Sequence, residues 1–205
     1  FQSDAAHFLG IVTRDAGDAA SAERLLRQAI ATNDRHPAYH ASLGLTLRGL
    51  GRSAEAAEAY KQAVGLKPDF AEAQINLGNL LLEMNDHAGA VAAYRAALLV
   101  NSQFSEGYNN LSVALFALGE FQAAFAAVER AVALAPTYSA AHNNRGRALE
   151  ALGRFVEAEQ AYRRALTLGL ETADIYNNLG LALEAQQRLD AALAAYEKAI
   201  ELDPA

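Results

Sequence analysis

The chain has 205 residues, a mass of 21.8 kDa, a formal charge of −7, a pI near 5.2 and no cysteine. Those values exclude a disulfide framework, a thiolate metal site and a cysteine nucleophile, and they leave no basic stripe for duplex nucleic acid. With no apolar run of about eighteen residues and no signal-peptide pattern, a cytoplasmic setting away from the membrane is expected.

Ala and Leu are abundant, which favours helix. Ile, Val and Thr are too scattered to read as strands. Written in rows of 34 from Ser3, the chain aligns without a gap as 3-36, 37-70, 71-104, 105-138, 139-172 and 173-205. Each row predicts two short helices and a turn near its fifteenth position.

Row one carries His7-Phe8-Leu9-Gly10-Ile11-Val12 in its first helix, and Gly17 marks its turn. Ala6 and Thr13 weaken its apolar pattern, and His7 is expected at the surface. In row two Pro37 should start the first helix, leaving His36 in the preceding turn, so the four-residue spacing of His36 and His40 does not make a metal pair. Gly51 marks the next turn, and Pro68 follows the second helix. Row three pairs Leu77 with Leu81 in its first helix and Tyr94 with Leu98 in its second, at helical spacing. His87 is expected at the surface. Row four turns at Gly119 and ends near Pro136; row five turns at Gly153 and puts Arg145 at a usually apolar position. Arg145 should send its head to water or pair with a glutamate. His40 and His142 share the fourth position and should pack between helices. Row six closes with Asp203-Pro204-Ala205.

Three positions stay small. The eighth is Gly10, Gly44, Gly78, Ser112, Gly146 and Gly180; the twentieth is Ala22, Ala56, Ala90, Ala124, Ala158 and Ala192; the twenty-seventh is Ala29, Ala63, Ala97, Ala131, Ala165 and Ala199. The first two should let paired helices approach backbone to backbone, and the third should seat the next hairpin.

This pattern resembles the tetratricopeptide repeat over residues 3 to 205, a single array. The resemblance implies an all-α fold, a right-handed superhelix of six helical hairpins with first helices lining its concave side. Arg145 departs from the family pattern, as do Asp34, Ser102 and Leu170 where proline is usual. Row one and the Asn-Asn-Leu-Gly run at Asn177 to Gly180 look like the repeats of bacterial O-GlcNAc-transferase-like, SPINDLY-like proteins. That implies a substrate-holding region belonging to a glycosyltransferase-like protein whose catalytic domain lies outside this chain. A solenoid needs polar ends, so the natural protein is expected to continue past the sixth row; self-association through that uncapped repeat, or a frayed end, are the other expectations.

No catalytic constellation stands out, and the glycines fall on the repeat lattice, so no enzyme, cofactor or metal is expected of this chain. The sixth position carries the chemistry instead: Phe8, Ser42, Asn76, Asn110, Asn144 and Asn178. Asn costs about 0.5 kcal/mol against Ala inside a helix. In the geometry the resemblance implies, this position lies on the concave stripe. A carboxamide both donates and accepts, so it can meet the N–H and C=O of an extended peptide. Packed helices lie about 8–10 Å apart and an extended chain advances about 3.3 Å per residue, so one Asn would serve about three peptide residues. The row resembles the asparagine ladder of O-GlcNAc transferase. The competing reading assigns the row, and the pairs it forms with Asn109, Asn143 and Asn177, to packing.

Leu45, Leu82, Val113, Phe116 and Leu181 make an apolar strip beside it, with Phe116 as anchor. Arg14, Arg48 and Arg147 add positive charge; Glu72, Glu106, Glu150, Asp174 and Glu184 add negative charge. A chaperone-tail carboxylate clamp is incomplete: Asn79 and Asn110 match its asparagines, but Ile75, Ala140 and Asn144 stand where basic residues belong. The candidate peptide-binding residues are Asn76, Asn79, Leu82, Asn110, Val113, Phe116, Asn144, Arg147 and Asn178, with a protein or extended peptide as partner. The rival reading is a self-assembling structural adaptor that uses its convex face or open end.

Overall fold

The computed structural model describes residues 2–204. Their only regular secondary structure is twelve α-helices: α1 (Gln2–Asp15), α2 (Ala19–Thr32), α3 (Pro37–Gly49), α4 (Ser53–Leu66), α5 (Ala71–Glu83), α6 (His87–Val100), α7 (Ser105–Ala117), α8 (Phe121–Leu134), α9 (Ser139–Ala151), α10 (Phe155–Thr167), α11 (Ala173–Glu184) and α12 (Leu189–Leu202). They form two compact units, one up to Ser102 and one from Gln103 on. Within each unit three hairpins stack: each second helix packs on the first helix of the next hairpin, and successive first helices touch.

The turns are built by hydrogen bonding at helix C-termini. Gly51 at φ 74° donates its N–H to Arg48, and Arg52 donates to Leu47, closing the two-bond cap that satisfies the last carbonyls of α3. Gly17, Gly119 and Gly153 do the same, also at positive φ. Asn85 at φ 61° and Gln187 at φ 60° hold that conformation without glycine and make the same pair of bonds. At the end of α10, where the usual proline is replaced by Leu170, Gly169 at φ 86° closes such a cap as well. Pro37 occupies the first turn of α3, with His36 as its N-cap residue. Asp18 and Asp86 cap α2 and α6 by accepting the N–H of Ser21 and Gly89, each at 2.9 Å.

The small eighth position serves a side chain, which corrects the backbone-to-backbone expectation. A Cβ added at Gly44 would lie 2.9 Å from the Tyr60 ring, and one at Gly78 2.7 Å from the Tyr94 ring. Gly146 and Gly180 face Tyr162 and Tyr196 in the same way, and Gly10 faces Leu26. Row four has Ser112 at this position and Val128 where the others carry Tyr or Leu, both buried. Tyr60, Tyr94 and Tyr162 are fully buried. The six alanines of the twentieth position are buried too.

Candidate functional site

In the second unit, Asn110, Asn144 and Asn178 stand half-buried at one register of α7, α9 and α11. Their amides are not equivalent. Asn144 Nδ2 donates to Asn109 Oδ1 at 2.9 Å, and Asn109 Nδ2 donates to Asn110 Oδ1 at 3.2 Å. The sixth position of one first helix is thus tied to the fifth position of the helix before it. The first unit repeats this link between His7 Nε2 and Ser42 Oγ at 2.9 Å. The side-chain amide of Asn178 hydrogen-bonds to no described residue, and neither does that of Asn76 on α5 in the first unit. Asn143 Oδ1, at the position matching Asn109 Oδ1, is buried without a partner.

The other predicted residues divide between the units. Asn79 and half-buried Leu82 lie on α5, where Asn79 Oδ1 accepts the Tyr94 hydroxyl at 2.8 Å. On α7, Val113 and Phe116 are half-buried. Phe116 meets the Phe121 ring at 5.1 Å between centroids, and the Arg147 guanidinium of α9 lies over its face at 4.6 Å. Phe116 and Arg147 line a cleft of about 330 Å³ together with Glu150, Ala151, Phe155 and Asn178. Val113 and Asn144 line a small cavity of about 10 Å³ with Phe116 and Arg147. The second unit therefore gathers Val113, Phe116, Asn144, Arg147 and Asn178, with Asn110 joined through Asn109.

Four of the eight expected groove charges have partners within the protein. Arg14 pairs with Asp15 at 2.8 Å, and Arg48 with Glu83. Glu150 accepts the Tyr162 hydroxyl at 2.7 Å, and Glu184 accepts that of Tyr196 at 2.8 Å. Burial and then the Glu150 contact push the Tyr162 hydroxyl pKa up; burial and Glu184 push Tyr196 up to about 12. Tyr60 rises to about 12 from burial, and its hydroxyl has no partner; Arg48 stands where rows five and six place Glu150 and Glu184. The sequence signal for this acid–tyrosine support was there: Glu150 and Tyr162, like Glu184 and Tyr196, are twelve residues apart.

Two histidine expectations change. His7 is buried, at 7% exposure, because the fifth position faces the next first helix; its ring packs on Tyr39 at 4.7 Å. His87 is half-buried. His40 Nε2 and His142 Nε2 reach the turn carbonyls of Asp34 at 2.7 Å and Pro136 at 3.0 Å, and His142 is buried. Arg145 pairs with Glu129 as expected. No cluster of three potential metal-ligating side chains occurs among the described residues. A wider groove of about 580 Å³ lies between α2, α3 and α4, floored by Ile30, Leu43, Leu47 and Ala59. Its rim residues Arg27 and Glu55 pair with each other at 3.4 Å. Neither residue type nor repeat register marked it in the sequence.

Comparison with known proteins agrees with this architecture. A family model described as tetratricopeptide repeat matches residues 75–139, 110–169 and 143–205. Others, described as TPR repeat and tetratricopeptide repeat, match residues 44–85 and 3–36. No curated protein matches the chain. A crystal structure of MamA protein is similar at 26% identity and a TM-score of 0.76, covering 82% of this chain and 92% of that one. YrrB, described as a TPR protein with an unusual peptide-binding site, is similar at 22% identity and a TM-score of 0.75, covering 87% and 92%. PilF of Pseudomonas aeruginosa reaches a TM-score of 0.80 at 20% identity, covering 99% and 92%. The last two likenesses show the fold alone.

Proposed function

The chain belongs to the tetratricopeptide repeat family, and we propose that it is a non-catalytic scaffold that holds an extended protein segment along its first helices. The observation that carries this reading is the row of half-exposed amides on α7, α9 and α11 beside the Phe116–Arg147 cleft, with the Asn178 side chain making no hydrogen bond to a described residue. An amide kept at a helix-unfavourable position, with donor and acceptor unused, is suited to meet a peptide backbone. A peptide-binding site is a property recorded for YrrB; here the amides and the cleft support the reading. The test is capture from lysate by the wild-type chain and by a variant with Asn76, Asn110, Asn144 and Asn178 all replaced by Ala, both shown folded by circular dichroism. Partners retained only by wild type support the reading, and identical sets overturn it.

The likeness of the repeats to bacterial O-GlcNAc-transferase-like proteins refines this proposal: the segment held would be the substrate of a glycosyltransferase-like partner domain, in the cytoplasm. Asn76, Asn110, Asn144 and Asn178 support the refinement by occupying the ladder register. Captured partners that carry no O-linked sugar in the source cells would remove it. No helix among the described residues is long and apolar enough to cross a membrane.

A second reading, an assembly adaptor, rests on a different observation. Leu193 and Ile200 of α12 are 59% and 66% exposed, and Leu189 is exposed beside them. It predicts concentration-dependent association in analytical ultracentrifugation that Leu193→Asp with Ile200→Asp abolishes. A monomer at all concentrations would sink it.

A further inference from the structure

Arg147 differs from the other arginines first assigned to the groove. Arg14 and Arg48 are neutralised by Asp15 and Glu83. The Arg147 guanidinium makes no hydrogen bond or ion pair with any described residue; it lies over the face of Phe116 at 4.6 Å. Glu150 shares the cleft, but it accepts the Tyr162 hydroxyl and forms no ion pair with Arg147. A guanidinium stacked on a ring is held flat, while its N–H donors, which lie in its own plane, stay available at the edge. Such a planar fork matches a carboxylate with two parallel hydrogen bonds. The Asn178 amide, also without a partner, lines the same cleft from α11 and supplies a further donor. Phe155 adds apolar surface for the methylenes that would carry the carboxylate in.

We propose that this cleft is a specificity pocket for a glutamate or aspartate side chain of the bound segment, with Arg147 as the carboxylate-binding fork and Phe116 as the platform that fixes it. The inference rests on the groove reading and adds a sequence preference to it. Backbone contacts by the amide row set where the segment lies; Arg147 sets which residue stands at the cleft. The sign is opposite to what the acidic side chains of the second unit would favour by charge alone: Glu150 keeps its negative charge in the cleft while accepting the Tyr162 hydroxyl, and the preference is set by the directed fork of Arg147, which no carboxylate of the described residues engages.

The test uses pairs of end-capped twelve-residue peptides with random uncharged sequences, each pair differing only by Glu or Gln at the sixth residue. Capped ends remove terminal carboxylates as competitors. Wild type is expected to bind the Glu member about tenfold more tightly at low salt, the yield of one charge-assisted pair over a neutral one, and Arg147→Gln is expected to level the two. The Glu preference should also shrink as salt is raised. Equal binding of Glu and Gln peptides by wild type, or a preference that survives in Arg147→Gln, overturns the pocket while binding that falls in Asn178→Ala leaves the groove reading standing. Failure to bind any peptide of either kind overturns both. Should Arg147→Gln fold poorly, the wild-type ratio and its salt dependence decide alone.

Discussion

Tyr162 shows how one residue ties packing to the surface chemistry of this chain. Its ring fills the space that Gly146 leaves open, and its hydroxyl ends on Glu150 at the rim of the cleft. Gly146→Leu should therefore overpack the hairpin and cost about 1–3 kcal/mol, visible as a lower melting temperature; an unchanged melting point would undo the assignment of the eighth position to the ring. Glu150→Ala should leave the buried hydroxyl unsatisfied at a cost of about 1–3 kcal/mol, whereas Glu150→Gln, which keeps an acceptor, should lose much less. Equal losses in the two variants would show that the hydroxyl does not depend on that acceptor. At the junction of the first two hairpins, burial and then the neighbouring His36 hold the His7 pKa below its usual 6.5. A histidine depressed in the folded state binds its proton more readily once unfolded, so its contribution is intact above pH 6.5 and lost as pH falls from there toward the folded value. Asp4, Arg14 and His36 also act on this ring, but the Asp4 carboxylate, itself lowered, titrates in a more acidic window. Melting temperature should fall between pH 7 and 5.5 in wild type and less so in His7→Gln; parallel slopes would remove His7 as the cause.

At the scale of the element, the hairpins were legible because their punctuation is periodic. Gly17, Gly51, Gly119 and Gly153 announced the left-handed turn residue, and the structure places all four there. Asn85 and Gln187 were not legible by that signal, since only the register, not the residue type, marks them. Gln187 holds a conformation that favours glycine, so Gln187→Gly should stabilise the α11–α12 hairpin by about 1 kcal/mol. A lower melting temperature would mean that the side chain, rather than the backbone, holds the turn. The asparagine row was half legible. Its register could be read from Asn110, Asn144 and Asn178, but the bond from Asn144 to Asn109 joins residues 35 apart and becomes visible only when neighbouring first helices are placed side by side. His7 was misread for the same reason: its partner Ser42 also lies 35 residues away.

For the whole molecule, repetition makes each hairpin both a support and a variation. The buried columns of Ala and Tyr keep the architecture uniform, which leaves the exposed positions of the first helices free to differ. Phe116 and Arg147 both lie in the second unit, so the proposed discrimination by the cleft would be exerted there, beside Asn110, Asn144 and Asn178 of the proposed row. The exposed apolar side chains of α12 carry the competing proposal. What separates the two accounts is whether a position-six amide contributes to binding beyond its place in the fold.

Asn178 permits that separation most directly, because its side chain hydrogen-bonds to no described residue. The measurement is the affinity of Asn178→Ala for a partner captured by wild type, taken together with its melting temperature. The account predicts an equal or slightly raised melting temperature, from the better helix propensity of Ala, with affinity reduced about three- to tenfold by the loss of amide contacts. Unchanged affinity would contradict it.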